Sequence, residues 1–215
     1  MHISDGVLSM QVLIAGAALT AGGTAIGLKK MDYDKIPKVG LMASAFFVAS
    51  LIHIPLGPSN VHLILNGIIG IILGWAAFPA ILVALLLQAL LFQFGGLTVL
   101  GVNTFNMAFP AVIVYLLFLK GIKSNKLPMS IVSSFLAGFL AVFFAGIFTA
   151  FNLVFTGEEF LNVAKLILVA HIPIMFIEGI VTVLIVGFLK KVKPEILELN
   201  GNFKSKKIRE RRAAV

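Results

Sequence analysis

Residues 61–94 read VHLILNGIIGIILGWAAFPAILVALLLQALLFQF and contain no charged side chain. Uncharged apolar runs of about 20 residues are typical of helices that cross a lipid bilayer. This run is longer than one crossing needs, and Gly74, Trp75 and Pro79 interrupt it. Because glycine and proline are the strongest local breaks of a helix, we expect two rather short helices here, at 61–73 and 78–94.

The same apolar character covers nearly the whole chain. The other apolar runs are 9–28, 39–56, 103–119, 129–155 and 160–189. The chain is 60% hydrophobic and 12% charged, with a mean hydropathy of +1.07. Soluble domains carry about twice that charged fraction. The sequence therefore predicts an all-α polytopic membrane protein: a single domain over 1–215, with seven transmembrane helices in 9–192.

Positive charge indicates how these helices are oriented. Lysines cluster after the first run and again after the fifth, and basic residues follow the last run. Four spans separate the first two clusters and two spans separate the next, so all three clusters reach one side, which the positive-inside rule makes cytoplasmic. Of the 17 Lys and Arg residues, 16 are then cytoplasmic and Lys165 is the exception. We therefore expect an external N-terminus (1–8) and a basic cytoplasmic tail (193–215).

The first two residues can form a metal chelate. The chain opens without the positive charge that starts a signal peptide, so we expect Met1 to remain the first residue. A terminal amine, the amide nitrogen of His2 and the His2 ring nitrogen can occupy three corners of a square. Square-planar nitrogen coordination favours Ni(II) or Cu(II), and the absence of cysteine excludes thiolate ligands. The alternative is that His2 is an ordinary polar residue on a short external tail.

His62 is the candidate for the fourth donor. We expect Ser59 or Asn60 to cap the third helix, which places His62 in its first turn, where the helix dipole disfavours protonation. A neutral imidazole is the form that binds metals. Asn66 would lie one turn further on the same face and could hydrogen-bond to the site. The alternative for His62 is a helix-end histidine bonded to a loop carbonyl.

Other polar residues on the predicted outer face are candidates for entry or support of the site. His53 could be an entry ligand, but a histidine bonded to loop backbone is the favoured interpretation. Asp5 is interpreted as a turn or cap residue that orders the N-terminal tail, with orientation of an imidazole as the alternative. Asn60 and Asn103 belong to external connections of the same face.

The predicted spans contain two further features. His171 and Glu178 lie seven residues apart in the last run, about 10 Å along a helix, so they cannot bond each other. We interpret them as residues for helix packing or partner contact, and Pro173 as the site of a kink. Small residues at four-residue spacing in the first run favour close docking of a neighbouring helix or another subunit; they are Ala17, Ala21 and Ala25.

Three motifs give this chain a resemblance to a known family. They are Met1-His2-Ile3-Ser4-Asp5-Gly6, Gly57-Pro58-Ser59-Asn60-Val61-His62-Leu63, and Ala170-His171-Ile172-Pro173-Ile174 with Glu178-Gly179. In these motifs, over essentially its whole length, the chain resembles the CbiM/NikM family. These are substrate-binding membrane subunits of energy-coupling factor transporters for cobalt and nickel in the cell membrane of prokaryotes.

The resemblance implies both a ligand set and partners. The implied ligands are the Met1 amine, the amide and ring nitrogens of His2, and the His62 ring, with Ni²⁺ or Co²⁺ as the transported substrate. The implied partners are a transmembrane coupling subunit, two ATPase subunits and in some members a further small membrane protein. The sequence itself lacks a Walker-type glycine loop, so we expect ATP hydrolysis on the partners and this chain to be a transport subunit and not an enzyme, as the resemblance implies. Because topology accounts for the positive charge, we expect no nucleic-acid partner.

Two other functions fit part of the sequence. A self-sufficient secondary transporter or channel would use His171 and Glu178 as a proton or ion relay, and Glu178→Gln would abolish its activity. A membrane subunit that binds a vitamin or another apolar ligand would tolerate His2→Ala. Neither function accounts for a histidine directly after the initial methionine.

Overall fold

The computed structural model describes residues 2–51, 53–56 and 59–197. Within these ranges the chain is almost entirely helical, with one short β-hairpin. The helices are α1 (Met10–Lys30), α2 (Ile36–Ala49), α3 (Asn66–Leu73), α4 (Ala77–Phe92), α5 (Leu100–Ile122), α6 (Leu127–Thr156), α7 (Leu161–Ala170) and α8 (Ile172–Val192). The hairpin strands are β1 (His53–Leu56) and β2 (Ser59–His62). Of the predicted basic tail, residues 198–215 lie outside the described residues.

Among the described residues, five segments are long and apolar enough to cross a bilayer. They are Met10–Lys30, Asn66–Phe92, Leu100–Ile122, Leu127–Thr156 and Glu158–Val192. The second contains α3 and α4, and the last contains α7 and α8. Helix α2 has 14 residues, which is about 21 Å of helix, whereas the hydrocarbon core is about 30 Å thick. The protein is therefore a multi-pass helical membrane protein, and its seven crossings stay a prediction.

Two interruptions of helices occur where the sequence predicted them. Gly74 adopts a positive φ of 57° between α3 and α4, which confirms the division of the longest uncharged run into two helices. The last apolar run is interrupted at His171, between α7 and α8. Pro173 lies in the first turn of α8, where its missing N–H is tolerated, so the helix is interrupted close to the position of the expected kink.

The prediction of helices at 39–56 and 61–73 is wrong at the C-terminal end of the first and the N-terminal end of the second. Helix α2 ends at Ala49, and β1 and β2 pair in antiparallel register with His53 opposite His62. Proline lacks the N–H that a helix interior needs, and it disfavours helical geometry in the residue before it. Pro55 and Pro58 fall within this stretch. The chain therefore leaves the helix and turns back as a hairpin.

The expected cap of the third helix is also wrong. Helix α3 begins at Asn66, and the residue at its N-cap position is Leu65 instead of Ser59 or Asn60. Leu65 is left-handed, with φ 55° and ψ 12°. Consequently His62 lies at the end of a strand, four residues before the helix, and Asn66 is not one turn beyond it on a shared helical face.

Helices α5 and α6 form the centre of the fold. Helix α5 packs against α1, α3, α4 and α6, and α6 packs against α3, α7 and α8. Glycines allow α3 to come very close to both central helices. A Cβ on Gly70 would lie 2.0 Å from the Ala111 carbonyl oxygen, and one on Gly67 would lie 2.7 Å from Gly138 Cα. The start of α3 is thereby fixed deep inside the bundle.

Helix α1 docks within this chain mainly through its glycines, although Ala17 also lies close to α5: a Cβ on Gly101 would be 2.6 Å from Ala17 Cα. Contact of the predicted alanines with another subunit stays a prediction. Ala17, Ala21 and Ala25 are exposed, and the buried side of α1 consists of Val12, Gly16, Thr20, Gly23 and Gly27. The glycines pack closely against neighbouring segments: a Cβ on Gly16 would lie 2.4 Å from a Val102 methyl group. A small-residue contact exists, as expected, but it uses the glycines because they allow the closest approach.

Candidate metal centre

The N-terminal tail is fixed to the start of α5 by a single amide side chain. The backbone N–H of Ile3 donates to Asn103 Oδ1 at 2.9 Å, and Asn103 Nδ2 donates to the Ile3 carbonyl at 3.0 Å. Ile3 is fully buried in an apolar cluster with Leu8, Val12, Val99 and Val102. Asn103 therefore fixes the residue that directly follows His2.

Asp5 ties the tail to the loop before α5. Its Oδ1 accepts from the Thr98 hydroxyl at 2.5 Å and from the N–H groups of Thr98 and Val99 at 3.2 and 3.3 Å. Its own N–H donates to the Gly95 carbonyl at 2.9 Å. A carboxylate at the N-terminus of a helix is also favoured by the helix dipole. These bonds agree with the interpretation of Asp5 as a cap residue.

Two glycines make room for the tail. Gly95 and Gly96 have φ values of +75° and +134°, which L side chains rarely adopt. A Cβ on Gly96 would lie 2.0 Å from the Asp5 carboxyl group, and one on Gly95 would lie 3.6 Å from His2 Cβ. The glycine pair therefore allows the loop to close around Asp5 beside His2.

The His2 ring is held by Gln88. His2 is buried, and its Nε2 lies 2.9 Å from Gln88 Oε1. Gln88 Nε2 donates to the Phe47 carbonyl at 3.1 Å and to the Ser50 hydroxyl, so Oε1 is the atom that accepts from the imidazole. This bond places the ring proton of His2 on Nε2 and makes Nδ1 the basic nitrogen. Metal-binding histidines are commonly oriented by such a partner.

His62 faces His2 with one nitrogen already engaged. The two ring centroids are 4.8 Å apart. His62 Nδ1 donates to the Leu63 carbonyl at 2.7 Å, whereas its Nε2 is buried and has no hydrogen-bond partner among the described residues. Burial lowers the pKa of His62 well below its usual value, and the nearby His2 acts in the same direction. The imidazole is thus neutral and has a lone pair on Nε2.

The two imidazoles do not make a complete metal site by themselves, so the expected ligand set includes backbone and terminal nitrogens. Within the described ranges, no group of three or more His, Cys, Asp or Glu side chains could hold a metal ion. Two imidazoles side by side supply borderline nitrogen donors, which suit nickel, cobalt, copper and zinc. Met1, the source of the expected terminal amine, lies outside the described residues.

The other predicted site residues lie around this centre without joining it. His53 is half-buried, its Nδ1 is 3.1 Å from the Leu51 carbonyl, and its ring meets Phe94 edge-on. This contact fits the favoured interpretation of a histidine bonded to backbone. Asn66 bonds to the carbonyls of Met107 and Ala141, so it ties helices together and makes no bond to an imidazole. Asn60 has its backbone in β2, and its side chain lies outside the described part.

His171 and Glu178 have separate structural partners, as their spacing predicted. His171 Nδ1 donates to the Ile167 carbonyl at 2.7 Å. Glu178 Oε1 accepts from the N–H groups of Ile64 and Leu65. Both residues are fully buried.

Sequence reasoning missed Gln88, Ser50, Thr98 and the Gly95–Gly96 pair. Gln88 had a usable signal, because it is a polar amide inside the apolar helix α4 and such groups need partners in a membrane. The glycine pair was a second signal, since adjacent glycines indicate backbone that other residues cannot adopt. Ser50 and Thr98 offered none.

The family model for the cobalt uptake substrate-specific transmembrane region, CbiM, matches residues 2–196. The chain belongs to the CbiM family. It is 44% identical over 205 residues to a Haemophilus influenzae protein whose name describes metal transport, covering 94% of this chain and 100% of that one. It is 40% identical over 114 residues to the fused nickel transport protein NikMN of Rhodobacter capsulatus, covering 50% of this chain and 33% of that one.

The fold of the chain is also similar to that of a solved metal transporter. The crystal structure of a transition metal transporter superposes with a TM-score of 0.74 at 28% identity, covering 95% of this chain and 99% of that one. The resemblance found in the sequence motifs is therefore confirmed. The chain is a substrate-specific membrane component of the cobalt and nickel transport family.

Proposed function

We propose that this chain captures Ni²⁺ or Co²⁺ at the outer face of a prokaryotic cell membrane, as the substrate-binding subunit of an energy-coupling factor importer. The ligands are the Met1 amine, the amide and Nδ1 nitrogens of His2, and Nε2 of His62. The observation that carries the proposal is the His2–His62 pair, buried side by side with each ring oriented by a bond through its other nitrogen.

The chemistry of these donors favours a planar nitrogen site. A terminal amine, the deprotonated amide that follows it and the Nδ1 of the same residue close adjacent chelate rings around one metal. His62 supplies the fourth corner from β2. Four nitrogens in a plane suit Ni(II), and the family description and the name of the Rhodobacter relative support cobalt and nickel respectively.

The proposed topology has seven crossings, with α2 and the separate helices α3 and α4 each counted as one. It places 1–8 outside, 9–192 in the membrane and 193–215 in the cytoplasm. The positions of the lysines support it. Lys29 and Lys30 end α1, Lys120 lies in the last turn of α5, and Lys190 and Lys191 end α8. The tail and Asp5 contact the opposite end of α5.

Energy for transport comes from partner subunits in this proposal. A transmembrane coupling subunit and two ATPase subunits drive inward release, with a further small membrane protein in some assemblies. The absence of a Walker-type loop from the sequence supports this division of labour. If the purified chain alone accumulated nickel in liposomes under an ion gradient, the dependence on partners would be refuted.

Metal titration of the purified chain tests the ligand set. We expect tight binding of Ni²⁺ or Co²⁺, verified by metal analysis with mass spectrometry. Loss of an outer partner of a ligand costs about 10- to 100-fold in affinity, so His2→Ala and His62→Ala should each exceed that loss. His53→Ala is the matched control, because His53 lies directly opposite His62 in the hairpin but bonds to backbone. Wild-type affinity in His62→Ala would overturn the proposal.

A further inference from the structure

Glu178 reaches from α8 to the loop that follows His62. It is fully buried, and its Oε1 accepts from the backbone N–H of Ile64 at 2.5 Å and of Leu65 at 2.8 Å. These two N–H groups precede the first turn of α3, where a helix leaves its donors without partners. The carboxyl group thus caps α3 from another helix.

The loop held by Glu178 is strained. Leu65 adopts a left-handed conformation with φ 55°, and its own side chain makes no cap bond. Such a conformation in a residue other than glycine persists only when its surroundings hold it. Glu178 supplies that hold, because both of its bonds go to the turn formed by Ile64 and Leu65.

One peptide group connects Glu178 to His62. The peptide between Leu63 and Ile64 donates its N–H to Glu178 Oε1 and accepts from His62 Nδ1 through its carbonyl oxygen. The carboxyl group therefore fixes the plane of the same peptide that orients the imidazole. Hydrogen bonds in series polarise one another, so the contact also acts on the electron density of the ring.

Close helix packing fixes the backbone from which the Glu178 side chain extends. A Cβ on Gly138 of α6 would lie 2.4 Å from the Glu178 carbonyl oxygen and 2.4 Å from the Thr182 hydroxyl. A Cβ on Gly67 of α3 would lie 2.7 Å from Gly138 Cα. The two glycines bring α3, α6 and α8 together at the level of Glu178, so the acceptor is preorganised.

We propose that Glu178 is a positioning residue for the metal centre, acting through the Leu63–Ile64 peptide to aim Nε2 of His62 at the ion. This inference rests on the proposed function, because it assigns a role toward a ligand of that site. It connects α8 to the metal centre through Glu178 Oε1, which accepts hydrogen bonds from the loop that follows His62.

Substitutions of Glu178 can distinguish the effect of its side-chain length from the effect of its charge. Glu178→Gln keeps the length and an acceptor oxygen, so nickel affinity should stay within about threefold of wild type. Glu178→Asp keeps the charge but is shorter by one carbon–carbon bond, about 1.5 Å. It cannot hold both N–H groups, and affinity should fall about tenfold, with a shifted absorption spectrum of the bound nickel. Glu195→Asp, the same chemical change at an exposed carboxylate after α8, is the matched control.

A double-mutant cycle tests the connection to His62. The loss caused by Glu178→Asp should vanish in the His62→Ala background, where residual affinity comes from the other ligands. Melting of the metal-free variants checks the fold. Wild-type affinity and spectrum in Glu178→Asp, or an equal loss with and without His62, would overturn the inference. If instead the wild type bound no nickel or cobalt, or His62→Ala bound like the wild type, the proposed function would fail first.

Discussion

Replacing Gln88 by leucine removes the acceptor that holds the His2 ring while leaving a side chain of similar size. The bond from His2 Nε2 to Gln88 Oε1 is 2.9 Å long and buried. The change does not leave the Ser50 hydroxyl without a hydrogen-bond partner, because this hydroxyl also donates to the Phe46 carbonyl at 2.7 Å. The Phe47 carbonyl also loses its bond from Gln88 Nε2 but keeps the Ser50 hydroxyl at 3.2 Å, so the main effect falls on the orientation and tautomer of His2.

Two magnitudes limit the expected loss of affinity. A buried hydrogen bond contributes about 0.5–1.5 kcal/mol net, which corresponds to about 2- to 13-fold in affinity. Loss of an outer partner of a metal-binding histidine costs about 10- to 100-fold. The two ranges overlap near tenfold, so Gln88→Leu should weaken nickel binding by about tenfold, or about 1.4 kcal/mol.

Isothermal titration of detergent-solubilised protein with nickel measures this loss directly. Gln11→Leu is the matched control, since Gln11 is exposed on α1 and the chemical change is the same. Melting of the metal-free proteins should show that both variants fold. Unchanged affinity in Gln88→Leu, or an equal loss in Gln11→Leu, would refute the role assigned to Gln88.

Two further perturbations act on the tail and on the fourth ligand. Gly96→Ala should weaken metal binding more than Gly6→Ala: both glycines have positive φ, but a Cβ on Gly96 would lie 2.0 Å from the Asp5 carboxyl group, whereas one on Gly6 meets nothing within 4 Å beyond its two chain neighbours. Equal titration curves would contradict this expectation. Because burial lowers the pKa of His62, the unfolded chain binds this proton at a higher pH than the folded chain. The metal-free protein should therefore lose stability as pH falls below about 6.5. The loss should be less steep in His62→Gln, and identical dependence of melting on pH in the two proteins would exclude this contribution of His62.

The long helices could be predicted from hydropathy. The apolar runs at 103–119 and 129–155 correspond to α5 (Leu100–Ile122) and α6 (Leu127–Thr156). In a bilayer the backbone must satisfy its hydrogen bonds internally, so a long uncharged run has few alternatives to a helix. The backbone at the ends of such runs is less constrained, so the predicted and observed ends of these helices differ by a few residues.

The hairpin could not be read from the same signal. Residues 53–62 contain only three strongly apolar side chains, Ile54, Leu56 and Val61, and an apolar pattern this short does not distinguish a strand from the end of a helix. Pro55 and Pro58 were the local indication, and they outweighed the helical pattern. His62 was identified by its residue type and motif, but its orientation depends on a peptide held by Glu178, which is distant in sequence and close only in the folded chain.

The same limit applies to His2. Its residue type and position indicated a chelate, whereas its partner Gln88 lies 86 residues away and could be assigned only from the packed structure. Contacts between distant polar residues depend on how helices rotate and cross, and a single sequence does not contain that information.

The terminal amine is the most distinctive element of the proposed site, and it can be tested without changing any side chain. Protein that begins at Met1 is compared with protein that has one alanine before Met1 and with N-terminally acetylated protein, each verified by intact mass. Isothermal titration with nickel should show tight binding only for the unmodified chain, with the absorption spectrum of planar nitrogen coordination, while all three melt alike without metal. Equal nickel affinity in the extended or acetylated chain would contradict the proposed chelate.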